Sequence, residues 1–164
     1  MLDATLQAFD IDPASLDEVL LKDWNRAWHR LDSWPDSVEG LSRLKAQFPV
    51  VALSNGNIAL IMAMAKRAGL PWDAILGAEF SRAYKPDPSA YLATAEALDI
   101  APEELCLVAA HHSDLAAARA CGLKTAFIYR PLEYGGACAP DAKAAQAWEW
   151  SANGLTELAT TFGC

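Results

Sequence analysis

The sequence predicts an α/β fold with a doubly wound parallel sheet, and three observations carry that expectation. Short apolar runs, several of them β-branched, recur at residues 50–53, 75–80, 105–110 and 125–129, the pattern of strands buried on both faces. Helical segments alternate with them, which calls for parallel strands joined by crossovers. A length of 164 residues with 53% hydrophobic content suffices for one buried core and excludes a disordered chain.

The first helical stretch starts at Asp12-Pro13, an N-cap followed by proline. Leu16, Val19, Leu20, Trp24, Ala27, Trp28 and Leu31 then fall on one helical face. Periodicity leaves open whether this aromatic-rich helix is a lid or an ordinary core helix. Trp34-Pro35-Asp36 interrupts it, and Asp36 with Glu39 forms a capping-box pattern for a second helix to about Gln47.

The stretch at 50–57, Val-Val-Ala-Leu-Ser-Asn-Gly-Asn, is a buried strand stopped by a tight polar turn. A helix over 58–70 follows, closed by Gly69 with Pro71 two residues on. Hydroxyl, amide and backbone N–H groups thus gather at the carboxyl edge of a sheet, where open α/β folds bind ligands; ordinary capping explains the same residues.

After the strand at 75–80, Tyr84-Lys85-Pro86-Asp87-Pro88 is a loop, because residues before proline leave the α region. Asp87 caps a helix to about Leu98, with Leu92, Ala95 and Leu98 inward. The strand at 105–110 leads into a polar turn, His111-His112-Ser113, with Asp114 as N-cap of an alanine-rich helix closed by Gly122. Residues 125–129 form a further strand, 135–140 a flexible loop and 148–152 a last edge strand.

A net charge of −8 with no Lys/Arg cluster argues against nucleic acid. The apolar runs are too short to span a bilayer. No basic segment followed by an apolar one opens the chain, so a cytoplasmic protein is expected. Cys106, Cys121, Cys138 and Cys164 lack any C-x-x-C spacing, so reduced thiols, no metal and no disulfide are expected.

Three polar sets end three consecutive units: Ser54-Asn55, Lys85, and His111 with Asp114. If each lies at a strand's carboxyl end, they converge. Lys85 sits in a proline-flanked loop that positions it, although a solvated lysine is the ordinary alternative. Asp114 is also a favoured cap, and His112 reads as an exposed turn residue.

Leu-Ser-Asn-Gly, Tyr-Lys-Pro-Asp-Pro-x-x-Tyr and Val-Ala-Ala-His-x-x-Asp-Leu resemble, in order and spacing, the second, third and fourth motifs of the haloacid dehalogenase superfamily. Within it the likeness is to type II 2-haloacid dehalogenases, from about Trp24 to Gly135. The resemblance implies a Rossmann-like core at 34–164 and part of a helical cap at 1–33. It implies cleavage of the carbon–halogen bond of a small 2-halo acid through an Asp ester, without cofactor. Ser54 and Asn55 would bind the substrate carboxylate, with Tyr91 lining the site. Lys85 would orient the nucleophile, and Asp114 would pair with Lys85 and position water. His111 stands where the family usually has Asn, and its imidazole can hydrogen-bond there. Relatives are often dimers, so a homodimer is implied.

Two departures accompany the resemblance. Phosphatase members hold magnesium partly with an acid where this chain has Ala110, which weighs against a magnesium-dependent phosphatase, the first alternative. The family's nucleophilic Asp ends a first strand upstream of the cap. Phe9-Asp10-Ile11-Asp12 only mimics it, because no apolar strand precedes it and Pro13 makes Asp12 a cap. The resemblance therefore implies an N-terminally shortened chain, with a gap or a non-standard pairing in mid-sheet beside the strands ending at Ser54 and Ala110. It would be poorly active or inactive alone, and a non-catalytic binding module is the second alternative.

Overall fold

The computed structural model describes residues 2–135, 137, 139–141 and 146–164. In chain order the helices are α1 (Leu2–Ala8), α2 (Glu18–Asn25), α3 (Ser37–Lys45), α4 (Ile58–Ala68), α5 (Ala78–Ser81), α6 (Pro88–Ala97), α7 (His112–Ala120) and α8 (Leu155–Thr161). The strands are β1 (Val51–Ser54), β2 (Ala74–Gly77), β3 (Cys106–Ala109), β4 (Lys124–Ile128) and β5 (Trp150–Ala152). All described pairings between strands are parallel, in two separate sheets: β1-β2, and β3-β4-β5. β1 and β3 each have one strand partner among the described residues, so the expected gap in mid-sheet is present.

The pleat sends alternate residues of β4 to opposite faces. Phe127 joins one core with Tyr91 of α6 and Leu115 and Ala118 of α7. Ala126 and Ile128 join the other with Leu44 of α3 and Leu158 and Ala159 of α8. Helices therefore cover both faces, as a doubly wound fold requires. Among the described residues no helix is long and apolar enough to cross a membrane.

Several predicted boundaries hold for the expected physical reasons. Asn57 caps α4, accepting from the Leu60 N–H at 2.7 Å. The same helix ends at Gly69, whose φ of +70° is the left-handed conformation that glycine adopts without a Cβ clash. Asp87 caps α6 by accepting from the Ser89 N–H at 2.9 Å, with Pro88 in the first turn.

Other expectations are corrected. Asp12 caps only a 3-10 turn, Pro13–Ser15, and Asp17 starts α2 separately. The predicted apolar face is broken between these pieces, and Val19, Trp24, Trp28 and Leu31 are exposed. Asp36 makes no side-chain cap bond to α3. Its Oδ2 instead accepts from the Leu155 N–H at 2.6 Å and from Arg130 at 2.9 Å, so it caps α8 from across the fold. Burial raises the pKa of this carboxyl, but the Arg130 and Leu155 bonds outweigh that and hold it below the usual range. β2 stops at Gly77, and 78–81 turn into α5. α6 faces inward with Ala90, Tyr91, Thr94 and Ala95, whereas Leu92 is exposed. α7 begins two residues before Asp114, with His111 at its N-cap. α1 and α8 were not expected. Cys106, Cys121 and Cys164 are free thiols, and burial pushes Cys106 up to about 12. Cys138, like Gly136 of the predicted 135–140 loop, lies outside the described residues.

Fully buried Thr125 is satisfied from β5's approach segment. Glu149 accepts from the Thr125 N–H at 2.9 Å and from the Thr125 hydroxyl, and Arg119 donates to it at 3.0 Å. The Thr125 hydroxyl bond outweighs burial and, with Arg119, holds Glu149 down to about 2, against an ordinary 4.5. A depressed carboxylate stabilises the fold above its unfolded pKa and loses that contribution as pH falls toward the native one. Glu149→Gln is expected to lower stability by about 1 kcal/mol at pH 7, solvent screening of the half-exposed carboxylate limiting the effect. In urea titrations the difference from the parent should narrow between pH 4.5 and pH 2; a gap constant over that range would refute the assignment.

Candidate active site

β1 ends in Ser54, and the turn after it is held by its own side chains: Ser54 Oγ accepts from the Gly56 N–H at 3.0 Å. That bond uses an acceptor site and leaves the Ser54 O–H free to donate outward. Asn55 is tied to the Lys85 loop by a reciprocal pair. Its Nδ2 donates to the Lys85 carbonyl at 3.0 Å, and its Oδ1 accepts from the Lys85 N–H at 2.7 Å. One Nδ2 proton and the Asn55 backbone N–H are not used by this pair. The first-turn amides of α4 are less open than the sequence suggested, because Ile58 donates to Glu79 at 2.8 Å and Leu60 to Asn57.

Lys85 Nζ lies 2.5 Å from Asp114 Oδ2, and Tyr91 Oη donates to Asp114 Oδ1 at 2.6 Å. Both carboxylate oxygens are therefore engaged. The pair is largely withdrawn from solvent, the Lys85 and Asp114 side chains being 18% and 14% exposed, so a shared hydrogen bond counts for more than at the surface. Burial pushes the Tyr91 phenol well above its usual range, and the adjacent Asp114 carboxylate pushes it further. Tyr91 is thus a fixed donor, and it holds the carboxylate that holds the lysine.

His111 does not share this cluster's contacts. Its Nε2 lies 3.0 Å from Glu133 Oε1. Glu133 was not singled out from sequence, since it lies in a loop without periodic or capping signal. His112 is not a plain turn residue. It stacks on Phe127 and Trp148 with centroids at 4.7 and 5.7 Å, and its Nδ1 accepts from Trp148 Nε1 at 3.1 Å.

The arrangement brings an ammonium, a carboxylate, a phenol and a hydroxyl to the carboxyl ends of β1 and β3. Such a cluster can bind a small anion and stabilise charge on a reacting carboxylate. No group of three or more His, Cys, Asp or Glu suited to a metal occurs among the described residues. Asp114 has both oxygens engaged, and at position 110 an alanine offers no carboxylate, so these residues do not fit a magnesium ion.

Comparison with known proteins identifies relatives of the whole chain. The family described as haloacid dehalogenase-like hydrolase matches residues 3–122. An (S)-2-haloacid dehalogenase of Pseudomonas sp. (strain CBS-3) is 37% identical over 115 residues, 66% of this chain and 50% of that protein. A defluorinating L-2-haloacid dehalogenase of known structure is 48% identical, with a TM-score of 0.95 over 99% of this chain and 66% of the other. The L-2-haloacid dehalogenase of Xanthobacter autotrophicus, solved with chloropropionic acid covalently bound, is 27% identical, with a TM-score of 0.79 over 98% and 71%. The match covers about half the length of the curated relatives. With the parallel α/β core and the family model in agreement over most of its length, the chain belongs to the haloacid dehalogenase-like hydrolase family.

Proposed function

We propose that this chain carries the substrate-carboxylate and charge-stabilising half of a 2-haloacid dehalogenase site. The observation that supports it best is Lys85 fixed 2.5 Å from Asp114 at the same sheet edge as the Ser54 turn. In that reading Ser54 Oγ–H and the free donors of Asn55 hold the carboxylate of a small 2-halo acid. Lys85 stabilises the negative charge of a nucleophilic carboxylate, whose oxygen attacks C2 as the carbon–halogen bond breaks and halide leaves with the bonding pair. Water then adds to the carbonyl of the resulting ester, releasing the 2-hydroxy acid and regenerating the carboxylate. Asp114 positions that water and Lys85, Tyr91 fixes Asp114, and His111 with Glu133 borders the entrance. Residues 1–33 act as part of a helical cap over the core at 34–164, in keeping with the exposed Phe9, Val19 and Trp28. The protein works in the cytoplasm as a homodimer.

The described residues supply no suitable nucleophile. Asp12 is a cap, its Oδ1 accepting from the Ala14 N–H at 2.9 Å. Asp10 is an exposed turn residue at φ 54°. The test is metal-free halide release from (S)-2-chloropropionate by this chain and by a form extended upstream with an apolar strand ending in Asp. Activity in the extended form, lost in its Lys85→Ala variant by about a hundredfold or more, is the expected result. Activity of the short chain would make Asp10 or Asp12 the nucleophile. Silence in both would overturn the haloacid reading.

A further inference from the structure

The carboxyl edge of the β1-β2 pair holds a second bay beside the Lys85–Asp114 cluster. The segments that follow β1 and β2 enclose a surface cavity of about 250 Å³, lined by Asn55, Asn57, Glu79, Arg82 and Tyr84 among others. This is the edge at which open α/β sheets take ligands. The two segments pack closely. A Cβ at Gly77, the last residue of β2, would lie 2.9 Å from the Gly56 carbonyl oxygen and 3.0 Å from Glu79 Oε2. Tyr84 and Lys85 form the partition between bay and cluster. The Lys85 side chain is 18% exposed and turns its ammonium to Asp114, whereas Tyr84 is 67% exposed and lines the cavity.

Backbone amides at the cavity are already used, since Ile58 donates to Glu79 Oε2 at 2.8 Å and Leu60 to Asn57 Oδ1 at 2.7 Å. What remains is side-chain chemistry, and it is rich in donors. Among the described residues neither the Arg82 guanidinium nor the Tyr84 hydroxyl has a hydrogen bond or ion pair. Asn57 spends its oxygen as a cap and keeps the protons of Nδ2. Glu79 keeps Oε1 as an acceptor. Arg82 stands where α5 ends, at φ 52° and ψ 29°, a left-handed conformation that strains any residue with a Cβ. Glycine would take that turn with less strain, so the guanidinium is what arginine adds there.

We propose that this bay is a second binding site, for a small carboxylate that carries a hydroxyl group, with a 2-hydroxy acid as its ligand. Arg82 can meet a carboxylate with two parallel N–H groups. Tyr84 and Asn57 add donors to the same oxygens, and Glu79 Oε1 accepts from the ligand's hydroxyl. The volume equals that of about eight waters at ~30 Å³ each. It admits a molecule the size of lactate with water beside it and is too small for a nucleotide. The carboxylate and the hydroxyl follow from the bay alone. Choosing a 2-hydroxy acid among such ligands rests on the haloacid reading, of which it is the product. A ligand held there lies against Asn55, whose side chain ties the Lys85 loop at 3.0 and 2.7 Å, so the bay is placed to retain product leaving that site.

The test titrates the full chain, isotopically labelled for NMR, with L-lactate, and with propionate and chloride as controls. Saturable shifts are expected at Asn57, Glu79, Arg82 and Tyr84, in the millimolar range usual for so small a ligand. Propionate lacks the hydroxyl and should bind about fivefold more weakly. Arg82→Asn keeps a residue that tolerates the left-handed turn and should weaken lactate by about tenfold or more. Glu79→Gln should narrow the difference between lactate and propionate without abolishing binding. Absence of saturation, or shifts centred on Ser54, Lys85 and Asp114 instead, would overturn the proposal. Equal binding of propionate, equal binding by Arg82→Asn, or saturation by chloride at the same concentration would overturn it too, leaving an unselective anion patch. Halide release from (S)-2-chloropropionate reads the haloacid proposal separately: lactate bound in the bay of a protein that releases no halide supports the bay and counts against that chemistry.

Discussion

Gly40→Ala is expected to destabilise the protein by about 3 kcal/mol, although alanine is the better helix former by about 1 kcal/mol. Gly40 sits in α3 where α8 crosses it. A Cβ there would lie 2.4 Å from Leu155 Cβ, 2.6 Å from the Leu155 carbonyl carbon and 2.8 Å from the Thr156 nitrogen. Two of those three atoms are backbone, so no rotamer change relieves the overlap. α8 would have to withdraw, and its start is anchored by the 2.6 Å bond from the Leu155 N–H to Asp36. Withdrawal also opens the core formed by Leu44, Leu158 and Ala159. For a domain of this size the loss corresponds to a fall in Tm of roughly 6–12 °C. Thermal and urea unfolding measure it, and an alanine variant as stable as the parent would refute this helix contact.

That contact shows where sequence reasoning stopped. α4, α6 and the central strands were legible because each carries its own signal: Asn57 and Asp87 as caps, Gly69 as a stop, and apolar runs at β1, β3 and β4. α8 carries none. Leu-Thr-Glu-Leu-Ala-Thr-Thr is short and rich in β-branched threonine, and its cap comes from Asp36 on another part of the chain. A helix stabilised by remote partners leaves little local trace. The opposite error arose at 16–31, where helical periodicity is real but the residues lie outside either core and the chain breaks into short turns. In the candidate site, the pairing of Lys85 and Asp114 had a trace in the sequence because Lys85 stands in a proline-flanked loop and Asp114 shortly after the end of β3. The reciprocal Asn55–Lys85 bonds and the approach of Glu133 to His111 depend on how loops fold back, which neither spacing nor residue type encodes. The mid-sheet gap was expected from the resemblance alone; nothing in the apolar runs of β1 and β3 says how many partners each strand has.

Asp114→Ala is expected to lower stability by about 3 kcal/mol, because it strands two groups at once. Lys85 would keep an ammonium whose side chain is only 18% exposed, and the hydroxyl of fully buried Tyr91 would lose its acceptor at 2.6 Å. Tyr91→Phe removes only the second bond and should lower stability by about 1 kcal/mol. The informative variant is the double replacement, Lys85→Met with Asp114→Leu. An apolar pair of similar bulk avoids burying either charge, so the double variant should regain most of the loss, with a coupling of about 2 kcal/mol in the cycle. Urea denaturation of the parent, the two single variants and the double variant measures that cycle directly. Recovery would mean that the fold does not need this ion pair for stability. Its place beside the Ser54 turn at the sheet edge would then be explained by the anion it can hold there, since an uncharged pair would pack equally well. Additive losses would instead make the pair a structural strut, and would remove the main physical reason for placing a reacting carboxylate beside Lys85.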